Sequence, residues 1–241
     1  MVDLTLIHGF TQDSSVWERT RQNLPEDWAV TAVDLPGHGI SGNERPQSPE
    51  EFLEQAGAIL PSETDADRRV LCGYSMGARV ALQLAAAEPE RWTQLVVISS
   101  GAGMADTLAR EERRQSDEAL AASLEEGWLE EFASHWDSLS IWEGDPAEVS
   151  AQRTEMILKQ DPVGLACALR SFGQGVAPVF SGFASGDEPK LTVVRGERDT
   201  TYVRPTEELA MLGASSPMTV AGGHSLLIEN PAAVAGVLRS L

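Results

Sequence analysis

Short apolar runs and stretches of helical periodicity alternate along the N-terminal part of the chain. The runs at 4–7, 29–34, 69–72 and 95–99 read as buried strands. Helical patterns lie between them from Ser14 to about Leu24, at 49–60 with Ser48 as N-cap, and at 78–87. Alternation of this kind builds a parallel sheet with helices on both faces. The pattern then changes. From Met104 to about Ala184 no strong β run occurs. Helical patterns at 108–124, 127–138, 146–160 and 163–172 follow one another instead, with Trp128, Trp136 and Trp142 among them. Strands resume at 190–196 and 217–221, and 231–241 reads as a closing helix. The expectation is one α/β core, residues 1–103 and 185–241, with 104–184 inserted as a helical cap over the carboxyl edge of the sheet. Because strands resume after the helices, a separate C-terminal domain is rejected.

The run at 69–72 leads into Gly73-Tyr74-Ser75-Met76-Gly77 and then into a helix. Strand, G-x-S-x-G, helix predicts a nucleophile elbow. A serine on so sharp a turn is backbone-strained, and Gly73 and Gly77 remove the β-carbons that would clash. The helix that follows aims its positive end at whatever Ser75 attacks or deprotonates. Sites on parallel sheets lie at the carboxyl ends of the strands, where His8, Asp34 and Ser75 all fall. Two partners for the serine are expected further on, an acid and then a histidine. Asp199 follows the 190–196 run and His224 follows the 217–221 run. His224 would take the Ser75 proton, and Asp199 would orient the ring and stabilise the imidazolium. Glu197 is the fallback acid. His8 is expected to bond the loop backbone. The four histidines are scattered without zinc-ligand spacing, so no metal and no cofactor are expected.

Charge narrows the ligand class. The net charge is -19, and Lys159 and Lys190 are the only lysines. No basic face is available for phosphates, so nucleic acid is excluded as a partner. No run reaches the roughly 20 apolar residues of a membrane span. The start of the chain has neither a basic region nor a cleavage site, so no signal peptide is expected. The two cysteines, Cys72 and Cys167, form no disulfide framework, and a cytoplasmic location follows as an expectation. Oligomeric state has no signature in the sequence. An anionic substrate would be repelled by such a chain unless arginines were gathered at the site.

These motifs resemble the α/β-hydrolase superfamily, and the resemblance covers the chain from Leu4 to Leu241. The family's first two strands have no counterpart, so about six strands are implied. Its oxyanion hole implies backbone donors at Phe10, after His8-Gly9, and at Met76, after the serine. A narrower likeness is to the 2-succinyl-6-hydroxy-2,4-cyclohexadiene-1-carboxylate synthases of menaquinone and phylloquinone biosynthesis. It is carried by Leu35-Pro36-Gly37-His38-Gly39, by the elbow with Ala78-Arg79, and by Glu112-Arg113-Arg114-Gln115-Ser116-Asp117. Trp136, Leu169-Arg170-Ser171-Phe172-Gly173-Gln174-Gly175 and Gly196-Glu197-Arg198-Asp199 complete it. The resemblance implies elimination of pyruvate from a cyclohexene tricarboxylate, with the triad as base and no acyl-enzyme. Arg79, Arg113 or Arg114, and Arg170 would then pair with three carboxylates, the spacing to Asp117 favouring Arg113. Tyr74, Trp136 and His38 are further expected substrate contacts, with a role in bonding its own loop equally open to His38. Two departures stand out. Thr200-Thr201-Tyr202 follows the acid where relatives carry a Lys or aromatic pair, and Gln174 replaces a usual Thr.

A carboxylesterase or carbon-carbon hydrolase with the same triad is the competing reading. A non-catalytic ligand receptor of the same fold is the third, and the complete Ser75, Asp199, His224 set argues against it.

Overall fold

The computed structural model describes residues 1–62, 64–183, 189–213 and 216–241. Its strands are β1 (Val2–Ile7), β2 (Ala29–Val33), β3 (Arg68–Tyr74), β4 (Gln94–Ile98), β5 (Lys190–Gly196) and β6 (Met218–Val220). They form one six-stranded sheet in the order β2-β1-β3-β4-β5-β6, parallel at every pairing. The helices are α1 (Glu18–Arg21), α2 (Pro49–Ala58), α3 (Met76–Ala87), α4 (Thr107–Glu125), α5 (Leu129–Asp137), α6 (Ala147–Ile157), α7 (Pro162–Phe172), α8 (Val203–Leu212), α9 (Leu226–Glu229) and α10 (Pro231–Arg239).

The strands read as continuous apolar runs because both faces are covered, yet they still sort with a period of two. Leu71, Leu95, Val97 and Val193 face one side, with Phe52 of α2, Leu82 of α3 and Leu209 of α8. Leu4, Leu6, Cys72, Val96 and Val194 face the other, with Trp17, Leu226 and Leu238. The chain leaves β1 toward one face and β3 toward the other. The carboxyl ends of these neighbours therefore frame the crevice where ligands of such sheets bind.

Three elements depart from the sequence pattern. The expected helix from Ser14 to about Leu24 is a 3-10 turn, Ser14–Trp17, followed by the single turn α1. Helices α8 and α9 were not signalled. Pro205 lies inside α8 and breaks the usual helical signal. α9 is one turn long. The helices α4 to α7 do stand between β4 and β5 and share a core of Leu124, Phe132, Ile157 and Leu165. The expected boundary at 184/185 lies outside the described residues.

Candidate active site

Ser75 sits between β3 and α3 with φ 51° and ψ -111°, a conformation L-residues avoid. The turn holds because its flanks are bare. A β-carbon on Gly73 would lie 2.3 Å from the Gly77 carbonyl oxygen, and one on Gly77 would lie 2.2 Å from that of His8. The Ser75 N–H donates to the Ile98 carbonyl at 2.9 Å, which pins the elbow to β4.

His224 and Asp199 arrive from the loops after β6 and β5. Ser75 Oγ is 3.3 Å from His224 Nε2, and His224 Nδ1 is 2.8 Å from Asp199 Oδ2. The carboxylate can only accept, so Nδ1 carries the proton and Nε2 is free to receive one from the serine. Glu197 is exposed, two residues from the acid that makes the contact. The imidazole is held by its surroundings. Tyr202 stacks on it at a centroid distance of 5.0 Å and 15°, and Trp142 lies 5.2 Å away. The Tyr74 hydroxyl donates to the His224 carbonyl at 2.8 Å. This arrangement can shuttle a proton between Ser75 and His224, for attack on a carbonyl or for removal of a proton from substrate.

A cavity of about 490 Å³ opens over the serine, between the sheet edge and the α4–α7 helices. Phe10, Tyr74, Ser75, Met76, Trp136 and His224 line it. Met76 is the first residue of α3, so its N–H has no carbonyl one turn back within the helix. The Phe10 N–H makes no hydrogen bond among the described residues. Two residues that line the cavity beside the serine thus have backbone N–H groups without a hydrogen-bond partner among the described residues.

The charged residues lining it are Arg79, Arg113, Arg153 and Asp117, three cations to one anion in a protein of net charge -19. Arg79 is buried one turn beyond Ser75, and its side chain makes no hydrogen bond or ion pair among the described residues. Burial pulls its pKa down; Asp117 acts on it from a distance without bonding to it. Arg113 gives its Nε to Asp117 Oδ1 and one Nη to Gln174 Oε1, both at 2.7 Å. Burial raises the Asp117 pKa, against the pull of Arg113. Arg114 points the other way and pairs with Glu111. The structure thus separates the two neighbours that the sequence left together.

Two expected contacts lie elsewhere. Arg170 is not among the lining residues; it pairs with Glu118 and Glu125 at the surface of α4. Leu165, Leu169 and Phe172 turn the apolar face of α7 inward, and Arg170 falls on the other face. His38 is fully buried beneath the cavity lining, its Nδ1 3.1 Å from the Pro36 carbonyl and its ring against those of His8 and Phe10. His8 Nε2 accepts from the Leu35 N–H at 3.0 Å, which leaves Nδ1 to donate to the Gly9 carbonyl at 2.7 Å. Both histidines hold loops. Burial lowers the pKa of each, that of His38 to about 3 with a contribution from neighbouring His8.

Arg153 was missed from the sequence. It is buried on α6, paired with Asp137 and Asp145, bonded to Ser225 Oγ at 2.7 Å, and lies 4.2 Å over the Trp142 ring. Its acidic partners stand well before it in the chain, so no local spacing marks it.

A family model described as the alpha/beta hydrolase family matches residues 6–237. A 2-succinyl-6-hydroxy-2,4-cyclohexadiene-1-carboxylate synthase of Enterobacter sp. (strain 638) is 29% identical over 259 residues, covering 99% of this chain and 90% of its own. The structure of MenH from S. aureus is similar with a TM-score of 0.87 at 26% identity, over 99% of this chain and 92% of that one. A pimeloyl-[acyl-carrier protein] methyl ester esterase of Nitrosomonas europaea is 37% identical over 98 residues, 41% of this chain and 37% of its own length.

Proposed function

The chain belongs to the alpha/beta hydrolase family, and from that premise we propose that it is a 2-succinyl-6-hydroxy-2,4-cyclohexadiene-1-carboxylate synthase, a lyase that eliminates pyruvate from a cyclohexene tricarboxylate. The observation that carries this reading is Arg79. A guanidinium buried without a partner is costly, and a carboxylate that bonds it repays the cost. It stands beside Ser75 in a cavity whose other arginines, Arg113 and Arg153, are already paired with Asp117, Asp137 and Asp145. A neutral ester would leave it unpaired.

In this reading Ser75 is the base. Its Oγ takes a proton from the substrate ring as His224 Nε2 takes the proton of the hydroxyl, and Asp199 stabilises the imidazolium. Charge that develops on a neighbouring carbonyl oxygen meets the N–H groups of Phe10 and Met76 at the positive end of α3. The bond between the ring carbon and the ether oxygen of the three-carbon group then breaks, its electrons leave on that oxygen, and the released enolate takes up a proton, available from the His224 imidazolium, to become pyruvate. No acyl-enzyme forms. Arg79 and Arg113 anchor carboxylates, Arg153 borders the same space, and Trp136 and Tyr74 wall the ring.

The test is direct. Purified protein is given the cyclohexene tricarboxylate, and released pyruvate is measured through NADH oxidation by lactate dehydrogenase. Pyruvate matching the substrate consumed is expected, with poor turnover of nitrophenyl acetate. Efficient ester hydrolysis without pyruvate would transfer the protein to the esterase reading, which the local likeness to the methyl ester esterase favours.

A further inference from the structure

We infer that the Tyr202 hydroxyl donates a hydrogen bond to a carboxylate oxygen of the bound substrate, and that Gln174 and Arg113 hold it in that role. The inference deepens the synthase reading and rests on it for the identity of the substrate.

A phenol can give or accept a hydrogen bond, and the direction here is fixed from outside. Tyr202 Oη lies 2.9 Å from Gln174 Nε2, and Gln174 Oε1 lies 2.7 Å from an Arg113 Nη. A carboxamide can be turned to swap its two ends, but a guanidinium carries donors only. Turning Gln174 would set its NH₂ against that of Arg113. The amide oxygen therefore faces Arg113, and the amide N–H groups face the tyrosine. Arg113 cannot swing to relax this, because Asp117 Oδ1 takes its Nε. The bonds run one way, from Arg113 to Gln174 to Tyr202. With its oxygen accepting, Tyr202 has its own proton to give, and no described residue takes it.

The place where that proton is offered is also fixed. Stacking on His224 locks the Tyr202 ring, and the residue is buried yet lines the cavity that holds Arg79. A desolvated donor without an acceptor is unfavourable, and a carboxylate satisfies it with a charge-assisted bond.

Tyr202→Phe keeps the stacked ring and removes only the proton. On the cyclohexene tricarboxylate it is expected to raise KM about ten- to a hundredfold, with kcat held within about threefold. Gln174 is a positioning residue, so Gln174→Leu should raise KM in the parent and add less than about twofold in the Tyr202→Phe background. Equal effects in both backgrounds would overturn the relay. Calorimetry with propane-1,2,3-tricarboxylate separates this inference from the proposed reaction. Tighter binding to a parent that releases no pyruvate than to Tyr202→Phe removes the synthase reading and keeps the donor. A Tyr202→Phe protein matching the parent in both KM and affinity overturns the donor. A parent that binds no polycarboxylate overturns both.

Discussion

Arg79 stands on a helix that grows out of the sheet, and Arg170 on a helix of the α4–α7 block. The first is buried beside Ser75 with no partner among the described residues. The second is partly exposed and bonded to Glu118 and Glu125. The main chain explains the first. A residue one turn into α3 has its direction set by the elbow, and the elbow by Gly73 and Gly77. Only the pairing of side chains explains the second. α7 turns on its apolar face, and an arginine on the outer face goes to the nearest carboxylates. The same contrast holds for Arg153, which reaches the cavity wall because Asp137 and Asp145 hold it there. The sheet places groups by backbone geometry; the helical block places them by partners.

The largest effect follows from the sheet's half of this contrast. Ser75→Ala should retain the fold by circular dichroism and lower the pyruvate-releasing rate by roughly a thousandfold or more. The elbow, not the side chain, sets the local structure, so alanine costs reactivity and little else. A variant keeping most of its rate would remove Ser75 from the chemistry and with it the role assigned to the elbow.

The contrast also accounts for what the sequence made legible. Ser75, Asp199 and His224 each follow a strand, and strands announce themselves by apolar runs, so three distant residues could be brought to one edge. The six-stranded parallel sheet was legible for the same reason. The motif points Arg170 at the substrate, but it holds no information on which face of α7 is apolar in three dimensions. Arg153 was invisible because its burial depends on carboxylates 8 and 16 residues earlier. A histidine in a site loop can meet the substrate or bond its own loop, and the sequence does not choose between the two for His38. It is in fact underneath that loop, where its ring supports Phe10.

A second experiment sets the two arginines against each other. Losing a desolvated partner of a bound carboxylate costs about 2–5 kcal/mol, so Arg79→Met should lower kcat/KM by roughly thirty- to several-thousandfold. Arg79→Lys should recover only part of this, since an ammonium lacks the two-pronged fork. The empty protein should hold or gain stability toward urea on Arg79→Met, because an unpaired buried cation is removed. Arg170→Met should do the reverse. Its kcat/KM should stay within about twofold of the parent, while stability falls by no more than about 1 kcal/mol, as for an exposed pair. Equal kinetic losses in the two variants would abolish the distinction between the regions.

The smallest effect concerns the loops that carry the sheet's half of the site. His38 is fully buried, and burial, with neighbouring His8, lowers its pKa to about 3. The unfolded chain takes up a proton on this residue near the ordinary value of about 6.5, whereas the folded chain does not until about pH 3. Between those values the unfolded state binds more protons, so stability falls as pH falls, by up to about 1.4 kcal/mol per pH unit. His8, lowered chiefly by burial, acts in the same direction. His38→Asn keeps a donor for the Pro36 carbonyl and removes the titration. Urea unfolding at a series of pH values should give a shallower slope for the variant between about pH 6.5 and 4, with a modest loss near neutrality from the missing contact with Phe10. An unchanged slope would mean that His38 is charged in the fold. The loop beneath Phe10 would then be held by something other than a neutral buried ring, and backbone geometry alone would no longer account for the sheet's half of the site.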